Sequence, residues 1–176
     1  MWKRIGRNLL EGPATIDGPA AAPAAIAELA RRVDGVARAR LGRSLSIRQV
    51  DAGSCNGCEL EIHALNNPIY DLERFGFHFV ASPRHADVLL VTGPVTHNMA
   101  MALKRTYDAT PAPKWVVASG DCAIHAHVFA GSYAVAGGVE AVLPVDLRIA
   151  GCPPTPLQLL EGLLALLERV AAPAAR

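Results

Sequence analysis

The sequence predicts a single α/β layered domain, and three observations carry that prediction. Short apolar runs rich in Val, Ile and Leu recur along the chain: LSIRQV (45–50), FHFVAS (77–82), DVLLVTG (87–93) and KWVVASG (114–120). Each has the length and composition of a buried strand. Between and after them lie stretches of helical character, at Glu59 to Asn66, around Ile69 to Arg74, at Asn98 to Tyr107 and at Pro156 to Val170. Strands that alternate with helices pair in parallel, because parallel neighbours need a crossover connection. The composition is 51% hydrophobic but only 5% aromatic, so the core is built from Ala, Val, Leu and Ile. These observations describe a flavodoxin-like, mostly parallel sheet of four or five strands with flanking helices.

The chain has 176 residues, which suits one domain with a short extension. The extension is assigned to residues 1–43 and the domain to 44–172. Residues 12–25, GPATIDGPAAAPAA, have no sustained periodicity and read as a linker or loose arm. The following AAIAELARRV suits a short helix. Residues 1–50 hold nine Lys/Arg against four Asp/Glu, whereas residues 51–176 hold eight against twelve. The basic charges are dispersed, so they read as a solvated extension and not as a nucleic-acid patch. The start lacks the apolar segment of a secretory signal, and the apolar run 157–167 is shorter than the roughly 20 residues of a spanning helix. The expectation is a cytoplasmic protein that meets a membrane through partner subunits or a surface contact, the basic arm being a candidate for an acidic protein or an anionic lipid surface.

Ligands of open α/β sheets collect beyond the carboxyl ends of the strands. The run at 45–50 leads into Gly53-Ser54-Cys55, the run at 114–119 into Gly120-Asp121-Cys122, and the short stretch 147–150 into Gly151-Cys152. Three chain segments thus deliver cysteines to one edge. Cys55 and Cys58 form a CxxC around Asn56 and Gly57, while Cys152 precedes Pro153 and Pro154, which lack N–H donors and stiffen the loop. Four cysteines without a secretion signal point to metal or redox chemistry, with disulfides the weakest reading. Four thiolates suit a 4Fe-4S cluster and also suit tetrahedral zinc. Zinc ribbons bring two close pairs together, and here Cys122 and Cys152 stand far apart in a sizeable domain. On the residues alone, a cluster, a zinc-stabilised binding module and unrelated buried or redox cysteines all stay open. No GxxxxGK[ST] or GxGxxG sequence is present, so nucleotide binding has no support.

The stretches DAGSCNGCELEI, ERFGFHFVASPRHADVLLVTGPVTHNM, PKWVVASGDCA and LPVDLRIAGCPPTP resemble, in this order, a known small-subunit family. It is shared by energy-converting membrane-bound nickel-iron hydrogenases of the formate hydrogenlyase type and the B subunit of respiratory complex I, the NADH-quinone oxidoreductase. The match runs from about Ser44 to Leu167. The resemblance implies an α/β fold and one 4Fe-4S cluster on Cys55, Cys58, Cys122 and Cys152. It also implies an oxidoreductase complex with a catalytic large subunit, a ferredoxin-like iron-sulfur subunit and membrane subunits, in which this chain relays electrons and has no catalytic site of its own.

Two departures bear on the branch. Complex I subunits typically carry adjacent cysteines where this chain has SCNGC, and more often carry Arg at the position of Thr155; both features favour the hydrogenase branch over a subunit that passes electrons to quinone. The family commonly has a Gly-Gly pair before Phe129, where this chain reads Ile124-His125-Ala126-His127-Val128. His125 and His127 are candidates for hydrogen bonds to sulfur or for proton movement, beside the simpler reading of solvent or interface histidines. Glu59 and Glu61 are candidates for a proton path or for charging the first helical turn. Arg74, Arg84 and His85 are candidates for partner contacts or a quinone-side cavity, set against buried salt bridges to Asp71 or Asp87. Asp121 places negative charge near the thiols, and the helix at 156–170 reads as packing.

Overall fold

The computed structural model describes residues 44–171 together with Glu28, Arg31 and Gly35. Most of the expected extension 1–43, and the expected end at 172, lie outside the described residues. Glu28 and Arg31, from the segment read as a short helix, are helical, exposed and paired at 2.7 Å.

The elements in order are β1 (Leu45–Asp51), α1 (Gly57–Ala64), β2 (Phe77–Phe79), β3 (Val88–Thr92), β4 (Val95–Thr96), α2 (His97–Ala109), β5 (Trp115–Ser119), α3 (Asp121–His125), β6 (Val135–Gly137), β7 (Leu147–Ile149) and α4 (Pro156–Ala171). Five strands form one sheet in the order β2-β1-β3-β5-β7, and every neighbouring pair is parallel. Taken in chain order, that arrangement is 2-1-3-4-5, the flavodoxin-like winding.

The alternation of side chains along β3 explains the layers. Val88 and Leu90 pack on one face with Leu45, Ile47, Ile62 of α1 and Leu159, Leu163 and Leu167 of α4. Leu89 and Val91 pack on the other with Val50, Leu103 of α2, Ala123 of α3 and Val139. All five residues of β3 are buried, as a central parallel strand covered on both faces requires. Each fully buried Leu contributes about 1.5–3 kcal/mol from the apolar area it removes from water, so α4, with six buried leucines, is a principal source of stability.

Three local differences from the sequence reading have identifiable causes. The strand expected over 77–82 stops at Phe79, because Ser82 and Pro83 start a tight turn in which Ser82 Oγ accepts the Arg84 N–H at 3.4 Å. The helix expected around Ile69 to Arg74 is a 3₁₀ turn over Leu72–Phe75. Asn67 Oδ1 accepts the N–H groups of Ile69 and Tyr70 at 2.8 and 3.0 Å, which offers the backbone an alternative to the helix. β4 and β6 pair antiparallel in a separate two-stranded sheet, and runs of two and three residues carry too little periodicity to be read in advance.

Candidate metal centre

The four cysteines are brought together by loops that leave the carboxyl ends of β1, β5 and β7. At the first, Asp51 ends the strand and its Oδ1 accepts the N–H groups of Gly53 and Ser54 at 2.8 and 2.7 Å. This turn reverses the chain so that Cys55 and then α1, carrying Cys58, begin over the sheet edge. Asn56, in the left-handed region at φ 71, opens α1.

The second and third loops are tied to each other. Gly120 N–H donates to Ile149 O at 2.8 Å, Asp121 N–H donates to Gly151 O at 2.9 Å, and Asp121 Oδ1 accepts the Gly151 N–H at 2.9 Å. Asp121 therefore staples the Cys122 loop to the Cys152 loop, a structural role beyond the local charge expected of it. Gly120, at φ +90, admits the close approach of the first loop: a Cβ there would stand 2.6 Å from Cys58 Sγ. Only glycine suits both that conformation and that distance.

Ser54, Cys55, Cys58, Cys122, Cys152 and Pro153 line one cavity of about 100 Å³. All four cysteines are unpaired thiols, with Cys55 and Cys152 exposed and Cys58 and Cys122 half-buried. Burial pushes the Cys58 thiol up from its ordinary 9.0 to about 12, reinforced by the negative charge of Glu59 and the other three cysteines. The Cys122 thiol is raised too, first by burial and then by Cys152, Cys55 and Asp121. Among the described residues no group of three or more His, Cys, Asp or Glu side chains forms the cage of a single metal ion.

The other candidates are placed as follows. Glu59 is buried, and among the described residues neither carboxylate oxygen has a hydrogen-bond partner; Glu61 is half-buried. His125 and His127 are exposed, with ring centroids 5.8 Å apart and the His127 N–H donated to His125 Nδ1 at 3.2 Å. Ala126 and His127 both have positive φ, at 63 and 40. Arg84 and His85 are exposed. Asp87 is buried and accepts the Ser46 N–H at 3.0 Å; the side chain of Arg74 lies outside the described residues. Thr155 caps α4: its N–H donates to Gln158 Oε1 at 2.8 Å, and its Oγ1 accepts the Gln158 N–H at 3.3 Å.

The sequence reading passed over Asp51, the Asp121–Gly151 staple, Gly120 as a steric gate, and Ser119, whose buried hydroxyl has no partner among the described residues. Asp51 carried a usable signal, an Asp two residues before a Gly. The others depend on contacts between distant segments.

The profile of the NADH ubiquinone oxidoreductase 20 kDa subunit family matches residues 55–166, from the first cysteine into α4. The chain belongs to this family. Within it, a probable membrane-bound hydrogenase subunit, mbhJ, of Pyrococcus furiosus is 47% identical over 131 residues, covering 74% of this chain and 78% of that protein. Formate hydrogenlyase subunit 7 of Escherichia coli is 45% identical over 133 residues, covering 74% of this chain and 52% of that protein. A chain in the solved structure of the membrane-bound sulfane sulfur reductase, an archaeal respiratory membrane complex, matches with a TM-score of 0.67 at 34% identity, covering 82% of this chain and 78% of that one. The family thus spans hydrogenase-type and complex I-like oxidoreductase subunits. Among the described residues no helix is long and apolar enough to cross a membrane.

Proposed function

We propose that this chain is the electron-transfer subunit of a membrane-associated nickel-iron hydrogenase, carrying one 4Fe-4S cluster on Cys55, Cys58, Cys122 and Cys152. The observation that carries the reading is that loops from three strands bring four unpaired thiols to one cavity. The donor set fits the group, since a cubane takes one thiolate per iron. The four thiols line one shared space, delivered by separate loops of a sizeable domain and not as two close pairs, a spacing unlike that of zinc ribbons. When bound, such a cluster accepts and releases one electron at a time.

The protein's own residues would position and insulate that centre. Asp51 and Asp121 hold the three loops in register through backbone N–H groups. Burial raises the Cys58 and Cys122 thiols, so a bound metal would displace protons from them, which would couple assembly to proton release. The buried Glu59 carboxyl beside Cys58 and the Asp121 carboxyl beside Cys122 add negative charge, a lever that lowers a cluster's potential.

In this reading the chain sits on the cytoplasmic side of a membrane. A catalytic large subunit and a ferredoxin-like iron-sulfur subunit flank it, and membrane subunits complete the assembly. The similarity to mbhJ and to formate hydrogenlyase subunit 7 and the SCNGC spacing support the hydrogenase branch. The second reading is a complex I-like subunit that passes electrons to quinone, and it draws on the family's description. Iron, nickel and zinc content of the complex, isolated anaerobically through a tag on this chain, tests both. Iron with nickel is the expected result; iron without nickel favours the quinone branch, and zinc alone overturns the relay.

A further inference from the structure

Away from the cysteine cavity, a groove of about 320 Å³ opens beside the sheet edge, lined by Arg48, Gln49, Ile62, His63, Asn66 and Phe79. It exists because the edge strands differ in length. β2 ends at Phe79, paired with Ile47, while β1 continues to Asp51. Among the described residues the outer edge of β1 beyond Ile47 therefore has no neighbouring strand, and the last turn of α1 forms the facing wall.

Arg48 enters this groove half-buried. Among the described residues its buried Nε has no hydrogen-bond partner and no carboxylate pairs with it. A guanidinium stays protonated at any physiological pH, and a partly desolvated cation with an unused donor is unfavourable until an anion meets it. The planar fork of Arg matches a carboxylate in a two-bond geometry. His63 and Asn66 add donors beside it, and Ile62 and Phe79 supply an apolar floor for a short methylene stem. The volume suits one or two side chains and not a folded element.

We propose that this groove receives a carboxylate side chain of a neighbouring subunit, bound by Arg48 with His63 and Asn66 at its rim. A subunit occupant is favoured because the similar proteins are themselves named as subunits or belong to a membrane complex. The groove wall also bears on the site: α1 carries Cys58 near its start and His63 near its end, about 8 Å apart along the helix axis at 1.5 Å per residue. A carboxylate anchored here would register the neighbour against the cysteine-bearing helix. The inference rests on this chain being a subunit of a complex and is independent of which metal the thiols hold.

The test uses the complex isolated through a tag on this chain, with Arg48→Lys and Arg48→Gln variants. A carbodiimide joins an amine to a carboxylate it touches, so Arg48→Lys is expected to yield a cross-link from position 48 to an Asp or Glu of a co-purifying subunit, located by mass spectrometry. Arg48→Gln is expected to speed salt-induced dissociation of that subunit about tenfold or more, while iron content stays unchanged and the melting temperature of the isolated chain does not fall. The proposal is overturned by an absent cross-link with unchanged dissociation. It is overturned equally by a lower melting temperature of the isolated Arg48→Gln chain, which would make Arg48 structural. Arg48-dependent binding of the isolated chain to anionic lipid vesicles, without a subunit cross-link, would assign the groove to a membrane and overturn it too. Metal content lacking iron in the wild type would remove the electron-relay reading and leave this inference standing.

Discussion

Cys58 sits where burial, Glu59 and three other cysteines all oppose a thiolate, which is why its thiol is pushed from 9.0 up to about 12. In the metal-free fold the thiol stays protonated where an unfolded chain would ionise, so its contribution to stability is fully present below pH about 9 and is lost as pH rises toward 12. The metal-free chain is therefore expected to lose melting temperature across that alkaline interval. Glu59→Gln removes one of the charges that raise the thiol, so the midpoint for alkylation of Cys58 by iodoacetamide should move to lower pH in a pH–rate profile. Replacing any one of Cys55, Cys58, Cys122 or Cys152 by Ser is expected to reduce bound iron and the visible absorption of the purified protein. Full iron occupancy after loss of Cys122 or Cys152 would remove that residue from the ligand set. Gly120→Ala meets a second difficulty, because its Cβ would lie 2.6 Å from Cys58 Sγ at a backbone φ of +90. Destabilisation of about 1–3 kcal/mol together with reduced iron is expected, measured by denaturant unfolding and metal analysis.

The elements show how short local signals set up the site. The Asp51 turn and the Thr155–Gln158 cap each use a side chain to satisfy backbone N–H groups where a regular element ends or begins. Thr155 had entered the sequence reading as a marker of the hydrogenase branch, and in the structure it is also the residue that starts α4. Thr155→Ala is expected to cost about 1 kcal/mol of stability, seen as a lower midpoint in urea, with little change in iron content because the cysteine loops are held by other contacts. The positions of β1, β3, β5, α2 and α4 were legible because each carries a period or an apolar run long enough to stand alone. The 3₁₀ turn at Leu72–Phe75 was not, since the competing hydrogen bonds, accepted by Asn67 Oδ1 from the Ile69 and Tyr70 N–H groups, leave no mark on the apolar period.

At the scale of the molecule, two apolar layers clamp a parallel sheet whose central strand is buried on both faces. Leu163 lies in the α4 layer at 1% exposure, and Leu163→Ala is expected to destabilise the fold by about 2–5 kcal/mol through lost burial and the cavity left behind, measured by thermal unfolding of the isolated chain. The winding places every cysteine loop at the same end of the sheet, so the site depends on the register of β1, β5 and β7 and not on any one loop.

The sequence by itself determined the fold class, the order of the main elements and the convergence of three cysteine-bearing loops on one edge. Those properties follow from side-chain periodicity and from the crossover rule for parallel strands, both of which act locally along the chain. Only the tertiary structure decided the contacts between segments distant in sequence. It tied Asp121 to Gly151, brought Gly120 against Cys58, left Glu59 and Ser119 buried without partners among the described residues, and opened the Arg48 groove where β2 stops short of β1. Periodicity says which face a side chain occupies; how near it comes to a residue thirty or sixty positions away depends on strand lengths and loop paths that close packing of the whole chain selects.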